Sequence, residues 1–167
     1  MQEIATRPLL QEHFAPFGDV IEIAGEPSFQ INRGMCDRYH DLAKLEFVGE
    51  GAHANISLAR SRAESLPLKL TMVERHPLGS QAFIPLSAKP FLVVVAPDRG
   101  GVPGQPLAFL TRPGQGVNYH RNTWHGVLMP LQYAADFVIV DRLGSGENLE
   151  EHHFDNPYLI VSADCAK

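Results

Sequence analysis

The sequence predicts an all-β fold: a closed or double-sheet barrel of the jelly-roll kind, with one or a few short helices. Three observations predict it. Eight or nine short runs are rich in β-branched and aromatic residues. Glycine and proline, 14 and 13 in number, break the chain at intervals too short for long helices. No stretch sustains a long helical period of apolar residues. The length of 167 residues fits one domain over 1–167 with a real core.

Residues 9–14 read as a short helix that Pro16 and Gly18 end. Residues 19–23 read as the first strand, and 27–41 as irregular. The segment 53–59 (HANISLA) alternates as a half-buried strand does. Residues 61–67 connect it to a strand over 68–73. Pro77 and Gly79 stop that strand, and 81–84 resumes until Pro85. The run 91–96 (FLVVVA) has no polar residue, the mark of a strand buried on both faces. Residues 98–106 (DRGGVPGQP) form the most obvious loop in the chain, and 107–111 a strand. Then come a short strand at 117–119, a turn at 121–123 and a strand over 124–128. Residues 133–141 (YAADFVIVD) read as another strand, 144–148 as a turn, 150–153 as a polar stretch and 158–161 as a last strand.

Composition excludes several classes. Hydrophobic content of 44% and charged content of 20% are ordinary for a soluble globular protein. A net charge of −5 argues against nucleic acid or an anionic membrane as partner. There is no apolar run of about 18 residues and no secretory leader pattern. Cys36 and Cys165 sit in no paired motif, which reads as reduced thiols in the cytosol.

The chemistry concentrates in residues 114–127, where His120 and His125 flank the polar turn Arg121-Asn122-Thr123 beside Tyr119 and Trp124. A hairpin corner there could aim an imidazole, a guanidinium and aromatic walls into one cavity. A second concentration is Glu74-Arg75-His76. On a strand Glu74 and His76 share one face while Arg75 points to the other; Pro77 could add a bulge that brings all three to a mouth. The plain alternative is a solvated strand end. A third is Arg38-Tyr39-His40-Asp41.

These blocks resemble the cupin β-barrels. Cupins carry His-x-His and a later acid on one hairpin, and one more histidine after a Pro/Gly-rich turn. Glu74-Arg75-His76 with Gln81 looks like the first motif with two ligands altered, and residues 115–125 look like the second, with His125 in its histidine position. The match is closer still to the ureidoglycolate lyases. It is carried by Ile31-Asn32-x-Gly34, by residues 38–43, by Glu74-Arg75-His76-Pro77-Leu78-Gly79, by Gln81-Ala82-Phe83-Ile84-Pro85, by residues 115–121 with Trp124-His125, and by Asp136-Phe137 with Asp141-Arg142. The loop 98–106 and the tail after Gly144 carry none of it.

The resemblance implies a cytosolic enzyme of allantoin breakdown that splits ureidoglycolate into glyoxylate and urea. It also implies a homodimeric cupin barrel. Glu74, His76, Gln81 and His125 would be the metal shell of an ordinary cupin. Two imidazoles and a carboxylate suit a divalent Ni, Mn, Fe or Zn ion, though Gln81 is a weaker ligand than the usual acid. No organic cofactor is expected. Arg38, Arg75 and Arg121 are candidates to clamp the substrate carboxylate, because a guanidinium fork matches it with two parallel bonds. Arg75 is the first choice and Arg121 the second. His76 or His125 would be base or ligand, and His40 or His120 acid. Each of His40 and His120 reads equally as a loop histidine. Tyr119 and Trp124 read as cavity walls. His13, His53, His152 and His153 read as solvent-facing. Two rival readings are another cupin enzyme, a dioxygenase or isomerase on a small polar acid, and a non-catalytic sensor of a small carboxylate.

Overall fold

The computed structural model describes residues 1–163; Cys165 lies outside them. The structure is a closed β-barrel of the cupin type, built from two sheets and a detached hairpin. In chain order the elements are β1 (Gln2–Pro8), α1 (Gln11–Phe14), β2 (Gly18–Ile21), β3 (Phe29–Ile31), β4 (Cys36–Arg38), β5 (His53–Ser61), β6 (Leu68–Arg75) and β7 (Gln81–Pro85). There follow β8 (Phe91–Ala96), β9 (Leu107–Leu110), β10 (Gly116–Tyr119), β11 (Trp124–His125), β12 (Met129–Pro130), β13 (Ala135–Leu143) and β14 (Glu150–Val161). No helix among the described residues is long and apolar enough to cross a membrane.

The larger sheet runs β11-β6-β14-β1-β9-β8-β12, and a further β11–β8 pairing closes it into a ring. The second sheet runs β2-β10-β7-β13-β5. The expectation for 91–96 holds in detail. Phe91, Val93 and Val95 of β8 join a core between the sheets with Phe83, Phe109 and Phe137. Leu92, Val94 and Ala96 face a second core with Leu70, Val73 and Trp124. Two-fold side-chain alternation lets one strand serve both cores, and each fully buried valine there contributes about 1.5–3 kcal/mol.

One strand stands outside the sequence reading, and three local readings need correction. The N-terminal segment is a strand, because Ile4 and Thr6 turn inward and β1 pairs in parallel with β14 and β9. Residues 27–41 are not wholly irregular: they hold the β3–β4 hairpin, which closes through left-handed Asn32 and Arg33 and through Gly34. The polar stretch 150–153 and the run 158–161 are parts of one strand, β14, which pairs with β6 and shifts register between His153 and Tyr158. The expected strand over 124–128 holds only at its start: β11 ends at His125, and β12 begins beyond the expected range at Met129.

Candidate active site

Register does the assembling. His125 of β11 lies opposite Glu74 of β6, and Tyr119 of β10 lies opposite Gln81 of β7. Residues directly opposite in antiparallel strands share a face. Tyr119 and His125 belong to the two rows that meet, and their rings stack 4.2 Å apart at an interplanar angle of 4°. His76 follows β6 by one residue and brings its ring to 5.3 Å from that of His125. One ligand atom from each of Glu74, His76 and His125 lies within 4.8 Å of the others.

The hydrogen bonds orient both imidazoles. His76 Nδ1 lies 2.6 Å from the Asn148 carbonyl oxygen, and His125 Nδ1 lies 2.9 Å from that of Gly126. A carbonyl only accepts, so each Nδ1 carries the proton and each Nε2 is left with a free lone pair. Both Nε2 atoms are buried without a hydrogen-bond partner, as is Gln81 Oε1. Glu74 Oε1 stands 3.9 Å from His76 Nε2. This donor set fits a divalent cation. Neutral imidazoles fixed through Nδ1 are what metal ligation requires, and the unpartnered atoms need something to meet.

Burial sets the electrostatics. It pushes the His125 pKa down to about 3; His76 adds to the shift and the Gly126 carbonyl opposes it. His125 is therefore neutral at physiological pH, an acceptor rather than an acid. Burial also raises the Glu74 pKa, with Glu151 adding to the rise and His76 opposing it. The Tyr119 hydroxyl is raised by burial first and by Glu74 second.

The other candidates are dispersed. Arg75 and Trp124 occupy the opposite face of the β6–β11 pair. The Arg75 guanidinium lies 4.3 Å from the Trp124 ring and binds Asp98 and Glu150, and Trp124 Nε1 donates to Asp98 Oδ1 at 2.9 Å. Arg121 donates to Glu46 Oε1 at 2.7 Å and to the Pro77 carbonyl at 3.1 Å. His120 Nε2 lies 3.1 Å from Asp19 Oδ2. Burial works to raise the Asp19 pKa, but hydrogen bonds from Asn118, the Lys44 backbone and His120 outweigh it and hold it below the ordinary value. A cleft of about 370 Å³ beside the turn is lined by His120, Arg121, Trp124 and Asp98 among others; Glu74, His76 and His125 do not line it. Arg38 and His40 sit on the β3–β4 hairpin, exposed. Of the histidines read as solvent-facing, His13, His53 and His153 are exposed and His152 is half-buried beside Trp124.

Sequence reasoning missed Asn148, whose carbonyl orients His76 and whose side chain accepts from Leu78 N. It also missed Asp19 and Glu46, the partners of His120 and Arg121. Asn148 carries no local signal, because its contribution to His76 is a main-chain oxygen. Asp19 was legible only as an acid beginning a strand.

The family model described as ureidoglycolate lyase matches residues 1–161. A ureidoglycolate lyase of Chelativorans sp. (strain BNC1) is 59% identical over 160 residues, covering 96% of this chain and 97% of that protein. Ureidoglycolate lyase 2 of Rhizobium meliloti (strain 1021) is 58% identical over 163 residues, 98% of this chain and 100% of the relative. A ureidoglycolate lyase of Rhodobacter capsulatus is 53% identical over 160 residues, 96% and 99% of the two chains. A closed barrel, two oriented imidazoles beside a carboxylate, and matches along nearly the whole length lead to one conclusion: this chain belongs to the ureidoglycolate lyase family.

Proposed function

We propose that this chain is a ureidoglycolate lyase, splitting ureidoglycolate into glyoxylate and urea. The observation that carries the reading is the group of unpartnered buried acceptors, His76 Nε2, His125 Nε2 and Gln81 Oε1, together with the Glu74 carboxylate. The family and its relatives do not favour a dioxygenase, an isomerase or a sensor. The proposed setting is the cytosol, in allantoin breakdown, with the chain as a homodimer.

One carbon of the substrate bears hydroxyl, carboxylate and ureido nitrogen. Cleavage removes the hydroxyl proton, breaks the carbon–nitrogen bond and protonates the leaving nitrogen. No water is consumed. A base, an acid and a carboxylate clamp are sufficient. In the metal-free site His76 is the stronger candidate for base, because His125, equally unpartnered at Nε2, is fully buried with its proton affinity lowered and packed under Tyr119; with a metal bound, both Nε2 atoms are ligands instead. His125 serves as acceptor or ligand. His40 and His120 are the candidates to protonate the leaving nitrogen. His120 is turned toward Asp19, whereas His40 is exposed beside Phe29. Glu74, His76, Gln81 and His125 would hold a divalent ion of the Ni, Mn, Fe or Zn group. Such an ion lowers the pKa of a hydroxyl bound to it.

The test is product analysis. Purified protein given ureidoglycolate should yield equal glyoxylate and urea without ammonia. Ammonia released with glyoxylate would instead show amide hydrolysis and overturn the lyase reading.

A further inference from the structure

Arg142, near the end of β13, belongs to a block that marked the family, and the chemistry above does not use it. It is a buried arginine, 8% exposed. No carboxylate pairs with it among the described residues, whereas Arg60, Arg75, Arg112 and Arg121 each have one. Its guanidinium donates to main-chain oxygens instead: Nε to that of Val48 at 2.7 Å, Nη1 to that of Gly144 at 3.3 Å and Nη2 to that of Ser145 at 2.6 Å. A buried charge is costly unless it is hydrogen-bonded, and this fork reaches two separate segments at once. The surroundings are shaped to receive it. A Cβ at Gly79, Gly49 or Gly144 would stand 2.6, 2.8 or 3.0 Å from the Arg142 side chain.

The segments that Arg142 ties together surround His76. Val48 N donates to the carbonyl of Leu78 at 2.9 Å, two residues past His76. Leu78 N donates to Asn148 Oδ1 at 2.7 Å, and the Asn148 carbonyl oxygen stands 2.6 Å from His76 Nδ1. Gly144 and Ser145 lead to Asn148 along the short connection between β13 and β14. Two acceptors compete for the one ring proton of a neutral His76. One is that carbonyl, at Nδ1; the other is the Glu74 carboxylate, whose Oε1 lies 3.9 Å from Nε2. A neutral imidazole takes the tautomer that its hydrogen bonds select. A carbonyl drawn back by about 1 Å no longer bonds, and the proton passes to Nε2, where the cluster needs a lone pair.

We propose that Arg142 is a positioning residue for His76: by pinning the β13–β14 connection to the main chain at Val48, it holds the Asn148 carbonyl against Nδ1 and so keeps the proton off Nε2. His125 needs no such device. Its Nδ1 faces the carbonyl of Gly126, the next residue, whose own N–H donates to Val94 of β8 at 2.8 Å. One imidazole is thus held from within the sheet. The other is held from a connection that has no regular structure and depends on the guanidinium for its place. The effect on turnover rests on the lyase reading; the effect on the tautomer does not.

Nitrogen NMR of the full chain decides it. Metal-free protein labelled with 15N in histidine is recorded at pH ~8, above the ordinary imidazole range, so that the neutral rings report their tautomers. His76→Gln and His125→Gln assign the two signals. In wild type both rings should carry the proton on Nδ1. In Arg142→Met the His76 signals should move to a mixture of tautomers while those of His125 stay where they were. A folded Arg142→Met with His76 unchanged would overturn the proposal. So would a change in both rings together, which is what a general loosening of the barrel produces. Should Arg142→Met not fold, Asn148→Ala decides on the same terms: it keeps the carbonyl but cuts the bond to Leu78 N that helps to place it. In ureidoglycolate turnover either variant should lose about 10–100-fold in kcat with KM within about threefold. That loss without a change of tautomer would overturn the proposal too. A shifted tautomer in a protein whose wild type releases no urea would leave Arg142 in its role and remove the lyase reading.

Discussion

The two faces of the β6–β11 pair both carry polar residues, and they use them in opposite ways. On one face Arg75 and Trp124 converge on Asp98, with Glu150 completing the group; the guanidinium and indole donors there have found acceptors. On the other, Glu74, His76 and His125 come together, and the two imidazole Nε2 atoms are buried without a partner, as is Oε1 of Gln81, which lies opposite Tyr119 on β7. An unsatisfied buried group costs about 1–3 kcal/mol, so two adjacent imidazoles left that way are not there for stability. The saturated face holds the barrel wall together; the unsaturated face is the one we propose as the site. Residue type alone does not separate the two, since arginine and tryptophan in a histidine-rich context look as catalytic as the histidines do.

The largest effect should come from the unsaturated face. His125→Ala should lower turnover by about 10²-fold or more, since it removes an oriented acceptor and the partner of Tyr119. Metal content measured on the same preparations, by elemental analysis, should fall with it. Full activity in the variant would dissolve the contrast between the faces.

Arg75→Ala should do the reverse. Its side chain is 13% exposed and its contacts are two ion pairs and one ring. Stability should drop by about 1–2 kcal/mol in urea melts, while KM stays within about threefold of wild type. A large KM rise without loss of stability would place Arg75 at the substrate after all.

The smallest effect is the pH dependence of folding. In metal-free protein the folded His125 pKa is about 3, against an ordinary 6.5. Below pH ~6.5 the unfolded chain takes up a proton that the folded chain refuses, so this residue's share of stability is complete above ~6.5. It is lost as pH falls toward the folded pKa, at roughly 1 kcal/mol per pH unit. Comparing urea midpoints of wild type and His125→Gln between pH ~7 and ~5 isolates the imidazole. Equal slopes would mean that His125 is not held neutral.

Much of the barrel was legible in the sequence, for reasons that are local. The uninterrupted apolar run of β8 announced burial on both faces, and both cores claim it. The spacing of Glu74 and His76 put them on one face with Arg75 on the other, because side chains alternate along any strand. The Pro/Gly turns bounded most strands to within a residue or two. The blocks around Arg38, Glu74, Gln81 and His125 were specific enough to name the family.

Other features had no local cause and so no local sign. β1 was overlooked because its inward row is only Ile4 and Thr6, and its strand character comes from parallel neighbours at the far end of the chain and in mid-chain. The facing of Trp124 away from His125 follows from the pairing of β11 between β6 and β8. The choice of proton-bearing nitrogen on His76 belongs to the carbonyl of Asn148, in a tail that carried no motif. Composition and period determine which segments become strands and which side chains share a face. Register between distant strands, and main-chain oxygens that any residue type supplies, decide which of those faces becomes a site, because both depend on partners that no stretch of sequence contains.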